Sequence, residues 1–135
     1  MSNIKSEVVS SFTRNGKMYL VLEIDTKDIF QGKTNFPIPW PDWGDFDFDI
    51  TFTGGELCLA VLYKGNKMWE QCVQILDECY QPGDIDLFKL GPIQIYMRYI
   101  NCCPIDNGVN VSFQIWARAG SVKTKLGTFN RDITA

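Results

Sequence analysis

Turn dipeptides recur along this chain between runs rich in β-branched and aromatic residues, which is the punctuation of successive hairpins. Asn15-Gly16 separates Glu7–Arg14 from Lys17–Ile24, and Gly54-Gly55 separates Asp45–Thr53 from Glu56–Tyr63. Gly65-Asn66 precedes Met68–Leu76, Asp106-Asn107-Gly108 separates Ile93–Ile100 from Val109–Ala117, and Gly120-Ser121 leads into Val122–Phe129. Tight hairpin turns need positive φ, which Gly and Asn adopt cheaply, so each dipeptide reads as a hairpin connection. The result is about eight strands, which fits an all-β antiparallel sandwich or small barrel.

Period-two patterning agrees. Phe46, Phe48, Ile50 and Phe52 alternate with Asp47, Asp49, Thr51 and Thr53, and Val109, Val111, Phe113 and Ile115 alternate with Asn110, Ser112, Gln114 and Trp116. One face of each strand is therefore core and the other wet. Glu56–Tyr63 is apolar on both faces and reads as a central, covered strand. Residues 67–80 fit two patterns. A helix would align Trp69, Cys72, Val73, Leu76 and Tyr80; a strand would align Trp69, Gln71, Val73 and Ile75. The tight link before them favours the strand.

Residues 25–44 carry Pro37, Pro39 and Pro41 beside Phe36, Trp40 and Trp43. Proline at every second position is incompatible with a helix or a central ladder, so this stretch reads as a long loop, functional or packed as a flap over an edge.

With 135 residues, 45% of them apolar, and a formal charge of −3, residues 1–135 make one globular domain rather than a disordered chain. The apolar run Leu57–Tyr63 is far shorter than the roughly 18 residues of a spanning helix, so no transmembrane segment is expected. Sixteen acidic against 13 basic side chains argue against nucleic acid as a partner. The first residues lack the apolar stretch of a secretory signal, and the cysteine count of 5 is odd. These observations lead us to expect reduced cysteines and a cytoplasmic setting, with non-classical secretion or a removed leader as the alternative. Asn110-Val111-Ser112 has the letters of a glycosylation acceptor but falls in an expected strand.

Histidine is absent, which removes Ser-His and Cys-His nucleophiles, imidazole bases and histidine zinc ligation. Cys58, Cys72, Cys79, Cys102 and Cys103 lack zinc-knuckle spacing, and Cys58 and Cys72 read as small buried hydrophobes. The carboxylates Asp42, Asp45, Asp47 and Asp49 raise a calcium reading, but strand alternation already explains Asp45, Asp47 and Asp49 as a solvated row. No enzyme, metal or cofactor is expected. Two aromatic groups remain. Trp40 and Trp43 lie in the proline-rich stretch, and Tyr96, Arg98, Trp116 and Arg118 would share an outer sheet face, with Gln94 and Gln114, if Ile93–Ile100 pairs with Val109–Arg118. Rings and guanidinium groups together suit a sugar, a carboxylate or a phosphate headgroup. The expected function is a non-catalytic module binding a carbohydrate or lipid headgroup. The alternatives are an assembly protein, with a protein partner or homo-oligomer formed through residues 25–44 and strand edges, and a calcium-dependent membrane-binding module.

Overall fold

The computed structural model describes residues 5–25 and 33–134. Strands make up nearly all of its regular structure, in three antiparallel sheets. Ten strands run in order: β1 (Lys5–Arg14), β2 (Lys17–Asp25), β3 (Lys33–Pro39), β4 (Phe46–Thr53), β5 (Glu56–Tyr63), β6 (Asn66–Gln74), β7 (Ile85–Leu90), β8 (Ile93–Ile105), β9 (Gly108–Ala119) and β10 (Val122–Thr134). One short 3-10 turn, Trp43–Asp45, precedes β4. Among the described residues no helix is long and apolar enough to cross a membrane. The chain divides into a smaller unit, Met1–Pro41 with Ala119–Val122, and a larger one, Asp42–Arg118 with Lys123–Ala135.

The smaller unit holds the sheet β1-β2-β3. Asn15 and Gly16, at φ 52° and 77°, make the expected hairpin turn, and Phe12 stacks on its cross-strand partner Tyr19 at 5.2 Å. The strand β3 lies inside the stretch read as a loop from sequence, so that reading is corrected for residues 33–39; residues 26–32 lie outside the described residues. Proline forbids a central strand but not an edge, and β3 is an edge. Its geometry explains why. Trp40 N–H donates to the Met18 carbonyl at 2.8 Å, while Pro37 and Pro39 pair with Val21 and Tyr19. Antiparallel pairs alternate in the direction of their donors, so the even residues aim at β2 and the prolines aim outward, where no donor is needed.

In the larger unit β4-β5-β6 and β10-β9-β8-β7 form the two sheets. They meet through aromatic side chains: Phe48 lies 5.1 Å from Phe113 and 5.2 Å from Phe129, and Phe46 lies 6.3 Å from Phe88. This is the sandwich-like, all-β arrangement expected from the alternation. Val109, Val111, Phe113, Ile115 and Ala117 are all buried, as β9 patterning required, and β5 is central, with Leu57, Leu59, Ala60 and Val61 buried. The ambiguous segment resolves as strand β6, followed by an irregular connection to β7. The strand β7 is a second addition to the expected set. Its six residues lie between Pro82-Gly83 and Gly91-Pro92, and Gly91 at φ 60° turns the chain into β8.

The cysteines are not all reduced, which corrects the sequence reading. Cys58 and Cys72 face each other across β5 and β6 and are joined, with Cα atoms 4.0 Å apart. Cys79, in the β6–β7 connection, is joined to Cys103 of β8 at 4.1 Å. Spacing along the chain carries no trace of either pairing, because strand register creates the first and a loop fold the second. Each closed loop restricts the unfolded chain by about 3 kcal/mol in the chain-entropy account. Cys102 is the free, buried thiol, pushed by burial from its ordinary 9.0 to about 11.

A candidate ligand-binding face

The antiparallel pairing of β8 with β9 sets Tyr96 opposite Trp116, Arg98 opposite Gln114 and Gln94 opposite Arg118. The sequence-expected cluster is therefore assembled on one sheet face, and β7 extends it by pairing Asp86 with Tyr96. Its rings and cations interlock diagonally. The Arg118 guanidinium lies 4.5 Å above the Tyr96 ring, and the Arg98 guanidinium lies 5.0 Å from the Trp116 ring. Tyr96 and Trp116 sit 6.4 Å apart. Side-chain amides fix the surroundings. Trp116 Nε1 donates to Gln114 Oε1 at 2.9 Å, and Gln94 Nε2 donates to the carbonyls of Phe88 and Ile95 at 3.0 Å.

Neither arginine is a free cation. Arg118 Nη2 donates to Asp86 Oδ1 at 2.9 Å. Arg98 Nε lies 3.3 Å from Asp84 Oδ2, an ion pair without hydrogen-bond alignment, which leaves its buried N–H otherwise unpartnered. The two pairs neutralise the face, so it is not the anion-binding fork that two bare guanidinium groups would make. Tyr96, though on the outer side by strand phase, is only 3% exposed beneath Arg118.

The exposed ring of this face is one the sequence did not indicate. Register slips between Arg98 and Asn101, which is a β-bulge, and Tyr99 occupies it at φ 53° with 63% of its surface exposed. The Arg98 guanidinium lies 5.0 Å from the Tyr99 ring as well, so it is held between Tyr99 and Trp116. Strict alternation would send Tyr99 inward with Ile95 and Met97. The bulge reverses this, exposing Tyr99 and burying Ile100 and Cys102. A signal existed in the sequence: Tyr99-Ile100 breaks the alternation of apolar and polar positions just before Asn101.

Trp40 and Trp43 do not form exposed sugar-facing rings. Trp40, in the smaller unit, is 7% exposed, with its Nε1 buried and unpartnered among the described residues. Trp43, in the larger unit, is half-buried against Phe48 at 5.6 Å and Phe46 at 6.4 Å. It also lies flat against Gly127 of β10, where an added Cβ would come within 2.2 Å of the indole. These rings are packing elements. Asp47 and Asp49 are exposed along β4, and among the described residues the one convergence of three possible metal ligands is Glu56 with Cys58 and Cys72. A disulfide has no thiolates to offer a metal, so that group is no metal site. Comparison with known protein families, curated proteins and solved structures finds no match to this chain.

Proposed function

We propose that this chain is a non-catalytic binding module whose outer β8–β9 face takes a neutral carbohydrate. The observation that carries the reading is Tyr99. A bulky aromatic in the left-handed region costs on the order of 1–3 kcal/mol and persists only where surrounding structure enforces it. Here the outcome of that cost is an exposed ring, braced by Arg98 beside Trp116. Sugars present apolar C–H faces that lie on aromatic rings and hydroxyls that pair with planar polar groups, and this face supplies both. Self-neutralised arginines favour a neutral ligand over a phosphate headgroup, which would have to displace Asp84 and Asp86. The two disulfides support an oxidising compartment instead of the cytoplasmic one expected from the first residues.

The test is binding to a panel of immobilised neutral and sulfated oligosaccharides and to vesicles of anionic phospholipid, using wild type, Tyr99→Ala and Trp116→Ala. Loss of either ring should weaken neutral-oligosaccharide binding by about 1–3 kcal/mol, roughly 5- to 150-fold. Vesicle binding without oligosaccharide binding, or oligosaccharide binding indifferent to both substitutions, would overturn the reading.

A further inference from the structure

The connection between β6 and β7, residues 75–84, behaves as a strap. At its start Ile75 N–H donates to the Gly55 carbonyl at 2.8 Å. Beyond that, it is held to β8 by few contacts. Cys79 is bonded to Cys103, Tyr80 exchanges backbone hydrogen bonds with Cys102 at 2.7 and 3.0 Å, and Gln81 Nε2 donates to Asn101 Oδ1 at 2.9 Å. Asp84 makes the ion pair with Arg98. The strap thus supplies the partner that neutralises Arg98, and it closes an apolar cavity of about 30 Å3 through Tyr80, against Leu57, Leu59, Met97 and Ile100.

The two disulfides differ in what else holds their ends. Cys58–Cys72 lies within a continuous ladder, with Leu57 paired to Val73 and Leu59 to Gln71 on either side. Breaking it leaves those pairs in place. Cys79–Cys103 anchors a segment whose other backbone link to β8 is a single isolated bridge. Cys79 and Cys72 are both exposed, so a reductant can reach either bond, and what separates the two is the ladder around Cys58–Cys72.

We propose that Cys79–Cys103 is a reducible clasp that sets the state of the ligand face, a proposal whose ligand consequence rests on the carbohydrate reading above. A dithiol reductant is the co-reactant. Its thiolate attacks Cys79 Sγ, forming a mixed disulfide and expelling the Cys103 thiolate. Its second thiol then closes on the first, forming the reductant's own disulfide and releasing the Cys79 thiolate. Two electrons pass to the protein cystine, and the dithiol's two protons finish on Cys79 and Cys103. The strap then loses its covalent anchor as far as Ile85, which stays paired with Met97. Asp84, the last strap residue, loosens from Arg98, and positive charge is uncovered there while Arg118 keeps Asp86. Cys102 does not interfere, although it adjoins Cys103. It is buried on the opposite side of β8, and its raised pKa keeps it a thiol rather than a nucleophilic thiolate. The clasp therefore reopens and recloses between the same two sulfurs.

The experiment titrates the wild-type protein with a dithiol, following thiol count by mass spectrometry and backbone hydrogen exchange by peptide. A dicarbonyl reagent reports the accessibility of Arg98. Reduction of Cys79–Cys103 should speed exchange across residues 75–84 by about tenfold or more and expose Arg98 to the reagent, with β9 still protected. The double substitution Cys79→Ser with Cys103→Ser should reproduce this, and Cys58→Ser with Cys72→Ser should not. Unchanged exchange in 75–84 on reduction would overturn the clasp. The oligosaccharide panel, read before and after reduction, separates the two ideas. Binding that is lost on reduction supports both. A responsive strap with no oligosaccharide binding in either state keeps the clasp and overturns the carbohydrate reading.

Discussion

The hairpin β8–β9 has two faces built from the same strands, and they obey different rules. Toward the core, Ile93, Ile95, Met97, Val109, Val111, Phe113 and Ile115 are each at most 1% exposed. Those residues are all apolar and form no hydrogen bonds through their side chains, so what they specify is volume and shape. On the other side, Gln94, Arg98, Gln114, Trp116 and Arg118 are half-exposed, and each has a named partner. That face is specified pair by pair. The contrast teaches that strand phase predicts the side of the sheet but not depth: Tyr96 shares the outer phase and is still covered, because Arg118 lies over it.

If this division is right, substitutions should sort by face. The largest loss should come from Phe113→Ala, which removes a ring stacked 4.8 Å from Phe129 and edge-on to Phe48. We expect about 3–5 kcal/mol in denaturant unfolding, and a loss below about 1 kcal/mol would erase the contrast between the faces. Trp116→Ala, on the outer face, should cost about 1–2 kcal/mol, through lost contact with Arg98 and the freed Gln114 amide. Tyr99→Gly should act with the opposite sign. It relieves a bulky residue at φ 53° and should raise stability by about 1 kcal/mol while weakening ligand binding. A destabilised Tyr99→Gly protein would show that the ring serves packing and not a ligand. The smallest effect belongs to Asp86→Asn, which breaks an exposed pair with Arg118. It should cost about 0.5 kcal/mol or less, and the cost should shrink further in high salt.

Cys102 gives the inner face a signature in pH. Its thiol titrates near 9.0 when unfolded and near 11 when folded, so the folded state holds the proton longer. Stability from this group is complete below pH 9 and is lost as pH rises toward 11. Unfolding followed over that window should show a decline that Cys102→Ala removes.

Much of the architecture is legible in the sequence, and for local reasons. The alternation Phe46-Asp47-Phe48-Asp49 and the dipeptides Asn15-Gly16 and Gly54-Gly55 encode strand faces and turns within a few residues of each other. What stayed hidden depends on contacts distant in sequence. The strand β3 escaped because Pro37 and Pro39 exclude a centre, and only the sheet order reveals an edge. The strand β7 is six residues long and bounded by prolines, which masks its short pattern. The partner of Cys58 is set by register across β5 and β6, not by spacing. On the candidate face, the pairing of Tyr96 with Trp116 was readable from hairpin logic. Asp84 and Asp86, which neutralise the arginines, come from the strap's end and the unforeseen strand, and Tyr99 owes its exposure to a bulge.

The outward prolines of β3 have a consequence for growth. Chain growth by strand addition requires every added molecule to offer a fresh receptive edge on its far side. In the three-stranded sheet, the far side of β2 from β1 ends in Pro37 and Pro39, which present carbonyls without alternate donors. A strand added there would meet the Pro37 and Pro39 acceptors with no donor beside them, so on this edge only Lys33 and Asn35 keep a ladder's outward donors. The proline half of β3 therefore weakens strand addition on this side of the sheet.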